Sequence, residues 1–237
     1  MFRSEINNLM RSASDFMYSK GFLLPKFAFW GPNDWGEKGL EVENIIKQQL
    51  GWDITDFGSG DFYAQGLILF TIRNGVFKEA EIDNHAKAYG EKIMVVQEEQ
   101  VTPIHFHFKK TEDIINRSGG TLAIQLWKST GDEKLSDEDV EVAVDGITVR
   151  CPAGGTIELS PGESVCLIHH MYHQFWGKKG NGPVLVGEIS RACDEYTDNR
   201  FLNQVGRFAD IVEDEDPYYL LFDDYQRFYP QYKTVKA

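Results

Sequence analysis

The chain has 237 residues with 42% hydrophobic and 13% aromatic content, enough apolar side chain to bury a core and too much for a disordered segment. Its formal net charge of −13, with doubled bases only at Lys109-Lys110 and Lys178-Lys179, excludes a nucleic-acid reader and leaves a neutral small molecule as the expected partner. No apolar run reaches the roughly 18 residues a membrane helix requires, so no membrane association is expected.

In chain order, Ile6, Leu9, Met10, Ala13, Phe16 and Met17 recur at helical spacing. They predict an amphipathic helix over residues 4–20, with Ser4 as its cap and Gly21 as its stop. A second helix is expected from about residue 38 to 50, with Val42, Ile45, Ile46 and Leu50 inward and Gly51 ending it. The Pro- and aromatic-rich stretch between them reads as a loop covering the core. From Phe62 onward, short segments rich in Val, Ile, Leu, Phe and Thr alternate with turn signals such as Asn74-Gly75, Asp145-Gly146 and Pro161-Gly162. That is the pattern of an all-β barrel or sandwich. Asp145-Gly146, flanked by EVAV and ITVRC, predicts a tight hairpin. Residues 128–139 read as a solvated loop, residues 191–199 as irregular, and residues 213–216 (EDED) as an acidic run before Pro217. The expectation is one domain: a helical N-terminal extension over about 1–60, a β-barrel over 61–190 and a C-terminal extension over 191–237.

The three cysteines, Cys151, Cys166 and Cys193, lack CxxC spacing, and the N-terminus carries Glu5 and Asp15 without a signal-type apolar segment. A reducing, cytoplasmic location is expected.

Chemistry concentrates in residues 101–120, VTPIHFHFKKTEDIINRSGG. If residues 102–108 form a strand, the imidazoles of His105 and His107 leave the same face, because side chains alternate with period two. Glu112 lies past that strand and can return to the same point, and His173, in MYHQFW, offers a fourth ligand. An isolated HxH is more often structural. The full set is what a divalent cation needs, and borderline N/O ligation suits Mn, Fe, Co, Ni or Zn alike.

HFHFKKTEDIINRSG resembles the first motif of the cupin superfamily, and PGESVCLIHHMYH resembles the second. The match departs from the usual pattern at Glu99, Ile168, His170 and Gly177, which stand where Gly, Pro, Gly and Asn are common. The turn before His173 must therefore be built differently, with His170 at an unusual backbone angle. Nearly the whole chain is similar to the bacterial D-lyxose isomerase family. The segments that carry this are LGWDITDFG (50–58), GLILFTIRNG (66–75), residues 89–120, LSPGESVCL (159–167), VLVGEIS (184–190) and the acidic run after GRF (206–208).

The resemblance implies a cupin-type β-barrel (a double-stranded β-helix, or jelly roll), manganese as the working ion, and interconversion of D-lyxose and D-xylulose, with D-mannose and D-fructose as lesser substrates. Such a reaction moves a proton between C2 and C1 through a cis-enediol(ate). Lys92, a charge in an apolar strand, either holds a substrate oxygen or points to solvent. Glu188 is a proton-transfer base, an outward-facing charge, or a partner for Lys92. Glu213 in the acidic run either folds over the barrel mouth or is solvated surface. Glu112 doubles as a catalytic candidate beside the substrate, while Gln97 and Arg117 are weaker candidates for sugar hydroxyls. The competing functions are a cupin dioxygenase and a non-catalytic cupin that binds sugar and metal. A homodimer is expected from the apolar barrel edges and N-terminal helices.

Overall fold

The structure is a computed structural model that describes residues 1–77 and 86–236. Helix α1 (Arg3–Ser19) is followed by two short helices, α2 (Pro32–Gly36) and α3 (Glu43–Lys47). The strands are β1 (Gly51–Thr55), β2 (Leu67–Arg73), β3 (Tyr89–Val96), β4 (His105–His107), β5 (Glu112–Gly119), β6 (Leu122–Lys128), β7 (Val140–Val144), β8 (Ile147–Cys151), β9 (Gly155–Leu159), β10 (Ser164–Leu167), β11 (Met171–Gly177), β12 (Val184–Arg191) and β13 (Asn199–Phe201). Two helices, α4 (Tyr225–Phe228) and α5 (Tyr232–Lys236), follow near the C-terminus.

The strands form two antiparallel sheets, one ordered β1-β2-β3-β12-β5-β10-β7-β8 and the other β13-β4-β11-β6-β9. They face each other as a cupin-type barrel. Leu69, Met94, Ile114 and Val186 of the larger sheet pack against Ile124, Leu126 and Phe175 of the smaller. On β3 and β12 both faces are apolar, because both are covered. Met94, Val96, Val184 and Val186 point between the sheets, while Ile93, Val95 and Leu185 point outward beneath α1. The predicted stripe of α1, Ile6, Met10, Ala13 and Met17, closes that second layer.

Gly21 ends α1 as expected. Its φ of +75° lets its N–H donate to Tyr18 O at 2.9 Å, and the N–H of Phe22 reaches Met17 O at 2.9 Å. The start of α1 is a correction. The N-cap position is Phe2 and no side chain caps it locally. Instead the backbone N–H and hydroxyl of Ser4 donate to Asp214 at 2.9 and 2.6 Å, and Asn7 donates to Glu215 at 2.6 Å. The acidic run thus supplies negative charge to a helix N-terminus from the far end of the chain.

The expected second helix is shorter than predicted. A 3-10 turn at Leu40–Val42 leads into α3, and Gln49, at φ 55°, turns the chain before β1. The side chain of Gln49 bonds Asp194 at 3.0 Å, which fixes that reversal. Within the presumed loop, Pro32 opens α2 while Asp34 accepts from the N–H of Gly31 at 2.9 Å. Two strands fall outside residues 61–190: β1 edges the larger sheet and β13 the smaller. The hairpin at Asp145-Gly146 forms as predicted, with both residues left-handed (φ 49° and 81°) between β7 and β8.

Candidate metal centre

Strand β4 covers only His105–His107, not the 102–108 expected, since Pro103 has no N–H to contribute to a ladder. The alternation still holds, and both imidazoles line the cavity between the sheets. His173, on β11, sits directly opposite His105 across an antiparallel rung. Glu112 opens β5 in the other sheet and faces the same cavity. The turn before β11 does take the left-handed geometry anticipated for His170, at φ 60°, and the His170 N–H donates to His107 O at 2.9 Å.

The nitrogens of His105, His107 and His173 that face the cavity all lie within 4.8 Å of one another. Nδ1 of His105 lies 2.8 Å from Pro103 O, and Nδ1 of His173 lies 3.0 Å from Met171 O. A backbone carbonyl at Nδ1 fixes the proton there and turns the Nε2 lone pair into the cavity. Burial pushes both imidazoles down, His173 to about 4, and the neighbouring rings push His105 further, so both are neutral at pH 7. Glu112 Oε1 is 3.3 Å from His107 Nε2 and 3.2 Å from His173 Nε2, yet it is buried and accepts no hydrogen bond from the described residues. Lone pairs facing one another across a dry space are a poor arrangement alone and a good one around a cation.

A series of buried ion pairs leads away from this cluster. Glu112 Oε2 meets Lys110 at 2.7 Å, and Lys110 meets Glu188 Oε1 at 2.9 Å. Glu188 Oε1 is also 3.2 Å from Lys92, which contacts Glu195; Glu195 is 2.8 Å from Arg207, and Arg207 is 2.6 Å from Asp53. Four carboxylates thus alternate with three cations. The excess of negative charge beside neutral imidazoles fits a divalent ion. Burial works to raise the Glu112 carboxyl, but the Lys110 ammonium above all works against it, and the carboxyl is held well below the ordinary range. Glu188 behaves likewise between its two lysines. Lys92 and Glu188 are register partners on β3 and β12 and so enter the cavity side by side. Phe57, Leu69, Phe175 and Phe201 form an apolar wall of this cavity.

Of the sequence-derived candidates, the structure gathers Lys92, His105, His107, Glu112, His173 and Glu188 around this cavity. Glu213 is not with them. Its carboxylate is held by Arg3 at 2.8 Å and Arg227 at 3.2 Å, at the start of α1. Arg117 points to the outer face of β5, where its Nε would lie 2.8 Å from a Cβ on Gly187. Gln97 follows the end of β3, engaged with Gln100 through its backbone and absent from the cavity wall. Lys110, Glu195, Asn199, Phe201 and Arg207 line the cavity without having been singled out from sequence. The doubled base at Lys109-Lys110, beside the HxH motif, was the one available signal.

The D-lyxose isomerase family profile matches residues 1–225. A D-lyxose/D-mannose isomerase of Escherichia coli O157:H7 is 43% identical over 229 residues, spanning 96% of this chain and 100% of that protein. One from Serratia proteamaculans is 42% identical over 226 residues, spanning 95% and 98%. Among solved structures, the L-ribose isomerase of Cellulomonas parahominis, determined with L-psicose, superposes with a TM-score of 0.59 at 15% identity, covering 90% of this chain and 98% of that one. The L-ribose isomerase of Acinetobacter sp. DL28 with L-ribose gives 0.57 at 14% identity, with the same coverage. These structural likenesses speak for the fold. With both the profile and relatives above two-fifths identity running nearly end to end, the chain belongs to the D-lyxose isomerase family and is an aldose–ketose sugar isomerase.

Proposed function

We propose that this protein interconverts D-lyxose and D-xylulose, and more slowly D-mannose and D-fructose, with a divalent ion, manganese by preference, held by His105, His107, Glu112 and His173. The observation that carries the reading is the convergence of three imidazoles and an orphaned carboxylate oxygen beside a buried lysine–glutamate series. When bound, the ion supplies Lewis-acid polarisation of adjacent sugar oxygens, which acidifies the C–H between them.

The chain's own groups do the rest. Glu188 Oε1 is shared by Lys110 and Lys92, while among the described residues Oε2 has only a 3.5 Å contact to Lys92. Oε2 is therefore the oxygen free to take the C2 proton and return it to C1. Lys92 and Lys110 remain ammonium groups despite burial, because the carboxylates around them outweigh it. They donate hydrogen bonds to oxygens that gain charge as the cis-enediol(ate) forms, and one of them gives O1 a proton and recovers one from the O2 hydroxyl, so that both protons are accounted for. Phe57, Leu69 and Phe201 keep bulk water from the opposite side. The three free cysteines fit a reducing cytoplasm, and no helix among the described residues is long and apolar enough to cross a membrane. We retain the homodimer as part of this proposal, to be read from a light-scattering mass of two chains.

The test is anaerobic turnover of D-lyxose by apoprotein reloaded with manganese, with solvent deuterium appearing at C1 or C2. Metal-dependent protection by sugar without turnover would leave a binding protein, and oxygen uptake would point to oxidation instead.

A further inference from the structure

We propose that Arg207 is a substrate-binding residue whose Nη1 donates to a hydroxyl beyond C3 of the open-chain sugar, an assignment that rests on the isomerase reading above. Arg207 enters the cavity from the segment after β13. Its Nη2 is doubly committed, to Asp53 Oδ2 at 2.6 Å and Glu195 Oε2 at 2.8 Å. Those bonds, drawn from β1 and from the segment before β13, fix the guanidinium plane, and Cζ lies 4.8 Å from the centre of the Phe208 ring.

Nη1 is different. It is buried and has no hydrogen-bond partner among the described residues. A buried donor left unpaired is costly, and a fold rarely keeps one without a use for it. A guanidinium has no acceptor and does not lose its proton, so only an oxygen or similar acceptor can complete it. Asp53 and Glu195 already offset its charge, so nothing about it calls for an anion. A neutral hydroxyl fits.

The position follows from the ion-pair series. Arg207 and Asp53 lie at one end, and Glu112 with the imidazoles at the other. With C1 and C2 at the imidazole end, the part of the sugar that reaches Arg207 is the distal part. The residue then reads substrate length and hydroxyl pattern without touching the reacting carbons.

The experiment measures kcat/KM for D-lyxose and for its 4-deoxy and 5-deoxy analogues, with wild-type enzyme, Arg207→Met and Arg207→Lys. Failure of the wild type to turn over D-lyxose would sink the isomerase reading itself, and is thereby separate from the question asked here. Given turnover, one analogue is expected to fall at least about 30-fold in the wild type, chiefly through KM, as an unpaired buried donor requires. In Arg207→Met that discrimination collapses to about 3-fold or less. Arg207→Lys keeps a cation for Asp53 and Glu195 but has no second arm, so it too loses the discrimination, and it serves if the Met variant does not fold. Wild-type use of both analogues within about 3-fold of D-lyxose, or discrimination that survives in either variant, overturns the proposal.

Discussion

Replacing Arg3 with Met is the sharpest test of how the two ends of the chain are joined. Arg3 is fully buried and donates to Glu213 at 2.8 and 2.9 Å and to Asp224 through two contacts of 2.8 Å. Methionine preserves much of the stem volume, so the cost falls on the abandoned carboxylates. Glu213 is 38% exposed and keeps Arg227 at 3.2 Å, so it rehydrates cheaply. The side chain of Asp224 is only 10% exposed and would keep the N–H of Leu221 as a donor. A stranded buried charge of this kind costs about 3–5 kcal/mol. For a chain of this size that corresponds to roughly 6–20 °C in Tm. Urea unfolding of the metal-free protein, followed by fluorescence, measures it. Adding Asp224→Asn to the Arg3→Met background should restore roughly 1–2 kcal/mol, because the stranded charge is gone. A loss under about 1 kcal/mol, or a double variant no more stable than the single one, refutes the reasoning. Glu213→Gln, by contrast, should lose less than about 1 kcal/mol and keep kcat within about twofold, since its carboxylate is outside the cavity.

His173→Ala should remove bound manganese and turnover together, read by elemental analysis and anaerobic assay; full metal content with full activity would show that the ligand set is wrongly drawn. Lys92→Met should keep the metal while kcat falls on the order of 100-fold or more, as for loss of a charged donor aimed at a developing oxyanion; unchanged kcat would remove Lys92 from the chemistry. Burial pushes the Cys193 thiol up to about 12. Between the ordinary thiol range and that value the folded chain keeps a proton that the unfolded chain releases, so stability falls as pH rises through the window, by at most about 1.4 kcal/mol per pH unit from this group. Urea midpoints from pH 8 upward should therefore drop less steeply in Cys193→Ala than in wild type, and equal slopes would count against it.

What could be read from the sequence was what repeats. The stripe of α1 placed a helix within a residue of its observed ends, and the alternation at His105 and His107 survived even though the strand around them proved much shorter. Asp145-Gly146 specified its hairpin because only a few residue types accept two consecutive left-handed conformations. Glu195 and Arg207 left no such trace. They are single charges in irregular segments, and their meaning depends on Lys92 and Asp53, which the fold brings to them from over a hundred positions away. The acidic run was only half legible for the same reason. Its composition suggested either solvent or a lid; residues 213–216 are indeed exposed, but Asp214 and Glu215 also answer N–H groups on α1 that no local pattern could connect to them. The helix expected before β1 keeps α geometry only over Glu43–Lys47, and just past its end the bonding of the Gln49 side chain to Asp194 outweighs local helical preference.

Strand β4 is three residues long, held on one side by β13 and on the other by the single rung between His105 and His173. A ligated cation would rivet that rung, so occupancy and the breathing of the smaller sheet become one equilibrium. Chelation would then loosen residues 104–108 before any other part of the barrel, and deuterium uptake there would serve as a clock for metal departure.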